Sequence, residues 1–328
     1  DVFIEKVRDA KVVMLGEASH GNSEYYRWRT KISNRILEEE GFSFIAIEGD
    51  WPDCYEINRY VKGYVDANPK DILMQFKRWP TWILSNWEIV ELIEWLKEFN
   101  KNRKDKKVGF YGLDIYSLDE SMKNVVSYLS QKDSVSADIV NDLLICYETY
   151  KTDPPEYVKM QPMLPEECRD EVIKMLLASR VSSTYKGDEE YDLNLEQNAY
   201  IVTNGQDYYN ELFRGGERSW NIRDEHMMQT LNRVIDYFGP DSKAIVWAHN
   251  THVGDARATN MAEYGLFNIG QLAREKYGDD LKVVGFGGYE GEVSASKEWE
   301  GELEEMKVAP AKKGSWEDIL YNTEPFED

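Results

Sequence analysis

Short apolar runs that end at polar residues recur along the chain. The first covers residues 12–15 and stops at Gly16. Glu17, Ser19 and His20 follow directly. Continuous apolar runs of this length, bounded by turn residues, are typical of strands that are buried on both faces. The same pattern predicts four further strands, at residues 42–47, 107–112, 243–247 and 282–285.

Stretches with helical periodicity separate these runs. Residues 24–40 carry apolar side chains every three or four positions and end at Gly41, a frequent helix stop. Residues 53–68 and 86–99 show the same amphipathic pattern. A strand, a helix and a strand in close succession form a βαβ unit, which requires parallel pairing. We therefore predict an α/β fold, with a parallel-sheet core and flanking helices.

The middle of the chain lacks strand signals. Residues 118–233 are polar, and their apolar positions fit helices, so we predict a large helical insertion there. The four prolines of residues 151–167 predict an exposed loop inside it. Residues 290–328 are acidic, are interrupted by Gly and Pro, and show little apolar pattern. Residues 1–328 are expected to form a single domain.

Charge and composition narrow the range of partners. The net charge of −22, from 39 basic and 61 acidic residues, disfavours binding to nucleic acid or to anionic membrane surfaces. No apolar run approaches the roughly 18 residues of a membrane helix. Cys54, Cys146 and Cys168 are widely spaced and odd in number, which favours a reducing, cytoplasmic setting over a disulfide framework.

Ionisable residues cluster at the predicted strand ends. Three of the four histidines and four acids lie within a few residues of them: His20, His249, His252, Glu17, Glu48, Asp50 and Asp114. The carboxyl ends of parallel strands share one edge of a sheet, so these residues should converge on one pocket. Imidazole beside a carboxylate supplies a general base that works near neutral pH.

Other chemistries receive weaker support. Ser19 lies in G-x-x-S-x-G rather than the G-x-S-x-G of a nucleophile elbow, and no phosphate-loop motif is present. His249-x-x-His252 with Glu17 and Glu48 offers an alternative zinc-ligand set. Three tryptophans, Trp79, Trp82 and Trp87, either pack in the core or form an aromatic wall for a bulky ligand.

Several motifs occur together in one order between residue 12 and about residue 290: GEASHG followed by EYYRWRTKI, FIAIEGDWPD, GLDIYSL, RDEHM and WAHNTHVGDARAT. In these motifs the chain resembles the erythromycin esterase-like family, whose members are also labelled succinoglycan-biosynthesis proteins. The resemblance implies an α/β fold with a helical insertion and an enzyme that hydrolyses an ester. In the named members the ester is the macrolactone of erythromycin-type antibiotics, which implies a role in the response to antibiotic. Family domains also continue beyond a GSWEDIL-like segment, so the C-terminal part is expected to be shorter than in the family.

The resemblance also suggests roles for individual residues. By position, His20 resembles the family's general base, and Glu17 and Glu48 resemble its flanking carboxylates. Arg29, His249 and His252 resemble its other essential polar residues. We also predict substrate binding by four residues: Asp50, Trp51, Asp114 and Arg257.

The leading hypothesis is a hydrolase without metal or cofactor that acts on a small-molecule ester or lactone. His20 deprotonates a water, Glu17 or Glu48 orients the imidazole, and Arg29 with His249 or His252 binds the developing oxyanion. A metal-dependent hydrolase that uses the same His and Glu residues is one alternative. The other is a non-catalytic small-molecule-binding protein on the same scaffold. The oligomeric state is left open.

Overall fold

The computed structural model describes residues 2–103, 106–129 and 190–323. Within these ranges the chain contains seven strands: β1 (Val12–Leu15), β2 (Phe44–Asp50), β3 (Gly109–Asp114), β4 (Ala244–Trp247), β5 (Leu281–Val284), β6 (Gly291–Ala295) and β7 (Glu304–Val308). The first five form a parallel sheet in the order β3–β2–β4–β1–β5. The predicted α/β fold is confirmed.

Helices flank the sheet. In the described ranges they are α1 (Val2–Val7), α2 (Ser23–Glu39), α3 (Trp51–Val61), α4 (Pro69–Leu73), α5 (Trp87–Lys101), α6 (Leu118–Leu129), α7 (Tyr191–Phe213), α8 (Arg218–Phe238), α9 (Asn250–Val253), α10 (Ile269–Tyr277) and α11 (Trp316–Tyr321). None of them is long and apolar enough to cross a lipid bilayer.

Strand residues alternate between two hydrophobic cores. Along β1, Val13 and Leu15 face one core, which is built with α1, α2 and α5. Val12 and Met14 face the other, which α8 and α10 complete. Because both faces of the sheet are covered, its strands are apolar throughout rather than alternating with polar residues.

Helices and strands differ from the prediction mainly at their ends. Strand β2 continues through Asp50, so Glu48 and Asp50 lie within the strand rather than after it. A register shift against β3 falls between Ile47 and Asp50. Helix α3 begins at Trp51 and ends at Val61, shortly before Gly63, whose φ of 73° is left-handed.

The structure covers the predicted insertion only in part. Its described segments, α6, α7 and α8, are helical. The loop at residues 151–167 and the cysteines Cys146 and Cys168 lie outside the described residues, and the domain division stays a prediction.

No element was assigned to residues 290–328 from the sequence, but strands β6 and β7 form an antiparallel hairpin there and α11 follows. The hairpin is largely exposed, so its sequence shows little apolar pattern.

Candidate active site

A cleft of about 430 Å³ opens at the carboxyl edge of the parallel sheet. Its floor comes from strand ends and the residues after them, including His20, Glu48, Asp50 and Asp114. One wall is the segment 76–84, and another is formed by strand β6 with Trp299. The fold therefore brings together residues that lie far apart in the sequence, as expected for a parallel sheet.

His20 lies on this floor and is bonded to Glu17. Its Nδ1 lies 2.8 Å from Glu17 Oε1. The other carboxylate oxygen of Glu17 accepts a 2.7 Å hydrogen bond from Arg29 Nη2. Arg29 comes from helix α2, and only 2% of its surface is exposed. One oxygen of Glu17 is thus held by the buried guanidinium of Arg29, and the other is hydrogen-bonded to His20.

The surroundings of His20 favour its protonated form. Burial alone would lower the pKa of His20. The hydrogen bond with Glu17 and the negative charges of Glu48 and Glu17 outweigh burial and Arg29, so the pKa lies above its ordinary value. The ring stays accessible, since 27% of the side chain is exposed.

A second network holds Glu48. Its Oε1 accepts a 2.7 Å hydrogen bond from Arg223 Nη2, and its Oε2 accepts one of 2.8 Å from the backbone N–H of His249. Arg223 also donates to both carboxylate oxygens of Asp114, at 2.8 and 2.6 Å. Although Glu48 is buried, His252 and Arg223 hold its pKa well below the ordinary value. Glu48 is therefore a fixed anion and a weak base.

His252 lies behind the cleft, within this second network. Its Nδ1 lies 2.9 Å from Asp224, and its ring stacks on Trp220 with centroids 4.5 Å apart. Burial lowers its pKa, but Glu48 and Asp224 outweigh this effect and raise the pKa to about 9. Arg223 Nη1, 2.9 Å from Nε2, opposes the protonated form. These groups enclose His252, which does not line the cleft.

His249 lies beside His20, with ring centroids 5.4 Å apart. Its Nδ1 accepts a 3.2 Å hydrogen bond from the backbone N–H of Thr251. Burial lowers the pKa of His249, and the neighbouring His20 acts in the same direction. The neutral ring is thus favoured next to a His20 that can take up a proton.

Tryptophans line the cleft walls. The rings of Trp79 and Trp299 lie 4.6 Å apart, and Trp82 packs edge-on against Trp79 at 5.6 Å. All three border the cleft. For Trp79 and Trp82 this favours the aromatic-wall interpretation. Trp87 is 65% exposed and lies outside the cleft.

Strand β6 packs closely beside His20. The N–H of Ser294 donates a 2.9 Å hydrogen bond to the carbonyl of Gly21. A Cβ atom at residue 21 would collide with the Ser294 carbonyl, so glycine is required there.

Two predicted substrate-binding residues do not reach the cleft. Trp51 is fully buried, because α3 turns its ring into the core, where it stacks on Tyr55 and Tyr111. Arg257 is exposed and pairs with Asp255 and Glu275 on the surface. The structure therefore does not bring these two residues to the cleft with the other predicted site residues.

The predicted oxyanion donors also need correction. Arg29 and His252 are each 2% exposed and do not line the cleft. Arg29 donates to Glu17, and His252 lies between Asp224 and Arg223. Both residues therefore contact carboxylates behind the cleft rather than the cleft itself.

No role was predicted from the sequence for Arg223, Asp224 or Arg78. The first two lie within the RDEHM motif on α8, among polar residues of an amphipathic helix. The only signal for Arg223 and Asp224 in the sequence was that they belong to RDEHM, one of the motifs that the chain shares with the erythromycin esterase-like family. Arg78, whose Nε donates to Asp50, lies in an irregular segment with no pattern.

The alternative metal-ligand set does not assemble. Across residues 2–103, 106–129 and 190–323, no three His, Cys, Asp or Glu side chains are grouped as a metal site requires. Both oxygens of Glu48 already accept hydrogen bonds, and His252 is held by Asp224.

The sequence of this chain matches a known family. The family model described as erythromycin esterase matches residues 37–327. The chain belongs to the erythromycin esterase family. Membership of this family supports a hydrolase.

A curated relative and two solved structures are similar to this chain. Erythromycin esterase type II of Escherichia coli is 23% identical over 308 residues, covering 88% of this chain and 71% of the relative. Among solved structures, a succinoglycan biosynthesis protein superposes with a TM-score of 0.75 at 22% identity, over 95% of this chain and 74% of the other. A mutant of the erythromycin esterase EreC, in its open conformation, gives a TM-score of 0.69 at 18% identity, over 94% and 78%. These two structures share the fold.

The hydrogen bond between Glu17 and His20 predicts that the pKa of His20 depends on Glu17. Followed by NMR, the His20 ring should titrate above its ordinary pKa of about 6.5. In Glu17→Gln the pKa should fall, because the negative charge is lost while burial remains. The exposed pair Glu98–Lys101 supplies the control, since Glu98→Gln should leave the His20 titration unchanged. An unchanged pKa in Glu17→Gln would contradict the coupling.

Proposed function

We propose that this protein hydrolyses a carboxylic ester or lactone, with His20 as the general base. The observation that carries the proposal is that His20, on the floor of the cleft, is hydrogen-bonded to the buried Glu17. A carboxylate that accepts from Nδ1 keeps the proton on that nitrogen. The lone pair of Nε2 is then free to take a proton from water.

The reaction follows from that arrangement. Nε2 of His20 takes one proton from a water, whose oxygen forms a bond to the ester carbonyl carbon. The tetrahedral intermediate then breaks its bond to the alcohol oxygen. The imidazolium returns the proton to that oxygen, which gives an acid and an alcohol. Glu17 stabilises the imidazolium between these two steps.

Negative charge that develops on the carbonyl oxygen needs a stabilising group in the cleft. Arg223 lines the cleft and carries a permanent charge. In a site shielded from water such a charge acts more strongly than it would in solution. We assign this electrostatic role to Arg223, with the imidazolium of His20 as the second positive charge.

The cleft walls favour a bulky, apolar substrate. A volume of about 430 Å³ bordered by three tryptophans suits a ligand with large hydrophobic faces. The related E. coli protein is named an erythromycin esterase. We therefore propose a macrolide-type lactone or a similar bulky ester as substrate, and a role in the response to antibiotic.

Hydrolysis assays on the pure protein test the proposal. We expect turnover within a panel of erythromycin, small lactones and aryl esters. His20→Asn should lower kcat by about 10²–10⁴-fold, the usual contribution of a general base, with an unchanged unfolding temperature.

His226 supplies the control. It lies outside the cleft and is hydrogen-bonded to Asn204 and Gln197, so His226→Asn should keep its activity per folded molecule. Wild-type turnover by His20→Asn would exclude His20 as the base. No turnover of any ester or lactone would favour the non-catalytic alternative.

Metal removal separates the two enzymatic hypotheses. Because Nε2 of His20 must accept a proton and the Glu48 oxygens are already bonded, we expect activity to survive exhaustive chelation. Elemental analysis should find no stoichiometric transition metal. About one zinc or manganese per chain, with activity lost on chelation and restored by that metal, would establish the metal-dependent alternative.

A further inference from the structure

One carboxylate in the cleft, that of Asp50, has an oxygen that accepts no hydrogen bond from the residues that the structure describes. Oδ2 of Asp50 accepts a hydrogen bond from Arg78, whereas the buried Oδ1 has no hydrogen-bond partner among the described residues. Asp50 is only 7% exposed and lines the cleft. Since a buried acceptor without a donor is costly, this atom points to a ligand that supplies a donor.

This part of the cleft also has an excess of negative charge. Asp53, in the first turn of α3, lines the cleft beside Asp50. Glu120 binds the other end of the Arg78 guanidinium. Three acids thus share one cation, and Asp114 on the neighbouring strand is already paired with Arg223.

The pKa values of Asp50 and Asp53 are raised in this surrounding. Burial is the largest influence on both aspartates, and like charges add to it: Asp114 acts on Asp50, and Asp50 acts on Asp53. The pKa rises to about 6 for Asp50 and to about 7 for Asp53. A bound positive charge would relieve the repulsion.

Aromatic rings border the same space. Trp79, Trp82 and Trp299 line the cleft together with the two aspartates. The face of an indole ring attracts an organic cation, and a neutral hydroxyl gains nothing comparable.

We propose that the Asp50–Asp53 end of the cleft binds a protonated amine carried by the substrate. The ammonium N–H donates to Asp50 Oδ1, Asp53 balances its charge, and the tryptophans cover its alkyl groups. A neutral hydroxyl would satisfy Oδ1 but would leave the excess of negative charge. Calling the ligand a substrate rests on the proposed hydrolase function; the amine subsite itself does not.

A pair of non-hydrolysable probes tests the subsite without any turnover. The probes are N-[2-(dimethylamino)ethyl]phenylacetamide and its neutral isostere N-(3-methylbutyl)phenylacetamide. Their dissociation constants would be measured by calorimetry on the wild-type protein at pH 7.5. We expect the cationic amide to bind at least about tenfold more tightly, as for a well-formed ion pair.

Variants then locate the effect. Asp50→Asn and Asp53→Asn should each reduce the preference toward unity, and Asp53→Asn leaves the Asp50–Arg78 bond in place. The matched control is Asp66→Asn, because Asp66 is fully exposed and distant from the cleft, paired with Lys97. It should keep the wild-type preference.

Two results would overturn the inference: equal affinity for both amides, or a preference that survives both cleft variants. A preference that is lost in those variants supports the subsite even if no ester or lactone is hydrolysed. In that case the amine subsite stands and the proposed function fails.

Discussion

The buried ion pair between Glu17 and Arg29 is the interaction on which the rest of the site depends. The Arg29 guanidinium lies within 4.5–4.6 Å of the ring centroids of Tyr26 and Trp247 and is almost fully removed from water. Such a pair is costly to assemble, and losing one partner from a buried pair costs about 3–5 kcal/mol. Glu17 therefore has one stable position, and that position sets the orientation of His20.

In the second network a buried guanidinium again fixes carboxylates in place. Arg223 binds Glu48 and Asp114 from neighbouring strands, and Asp224 binds His252. Across the two networks, four carboxylates face two guanidinium groups. The excess of negative charge explains why both His20 and His252 have raised pKa values despite their burial. It also favours the protonated form of His20.

The sequence was informative where a local pattern determines the structure. Strand β1 and the residues after it follow from four apolar residues and a glycine, so Glu17 and His20 were placed correctly at a strand end. Tertiary packing decided the remaining positions. Trp51 turns into the core because α3 starts one residue after Asp50, and Arg223 reaches the site only through the packing of α8 on the sheet. The β6–β7 hairpin has no apolar periodicity, since most of it is exposed.

The central claim is that Glu17, held by Arg29, prepares His20 to act as the base. The most direct test is the pH dependence of kcat/KM for a hydrolysed ester, compared with the NMR titration of His20 in the same protein. A base is active when it is deprotonated, so kcat/KM should fall on the acid side with a midpoint at the raised pKa of His20. In Glu17→Gln both the midpoint and the titration should move together to lower pH. A midpoint that stays in place while the His20 titration moves would contradict the account.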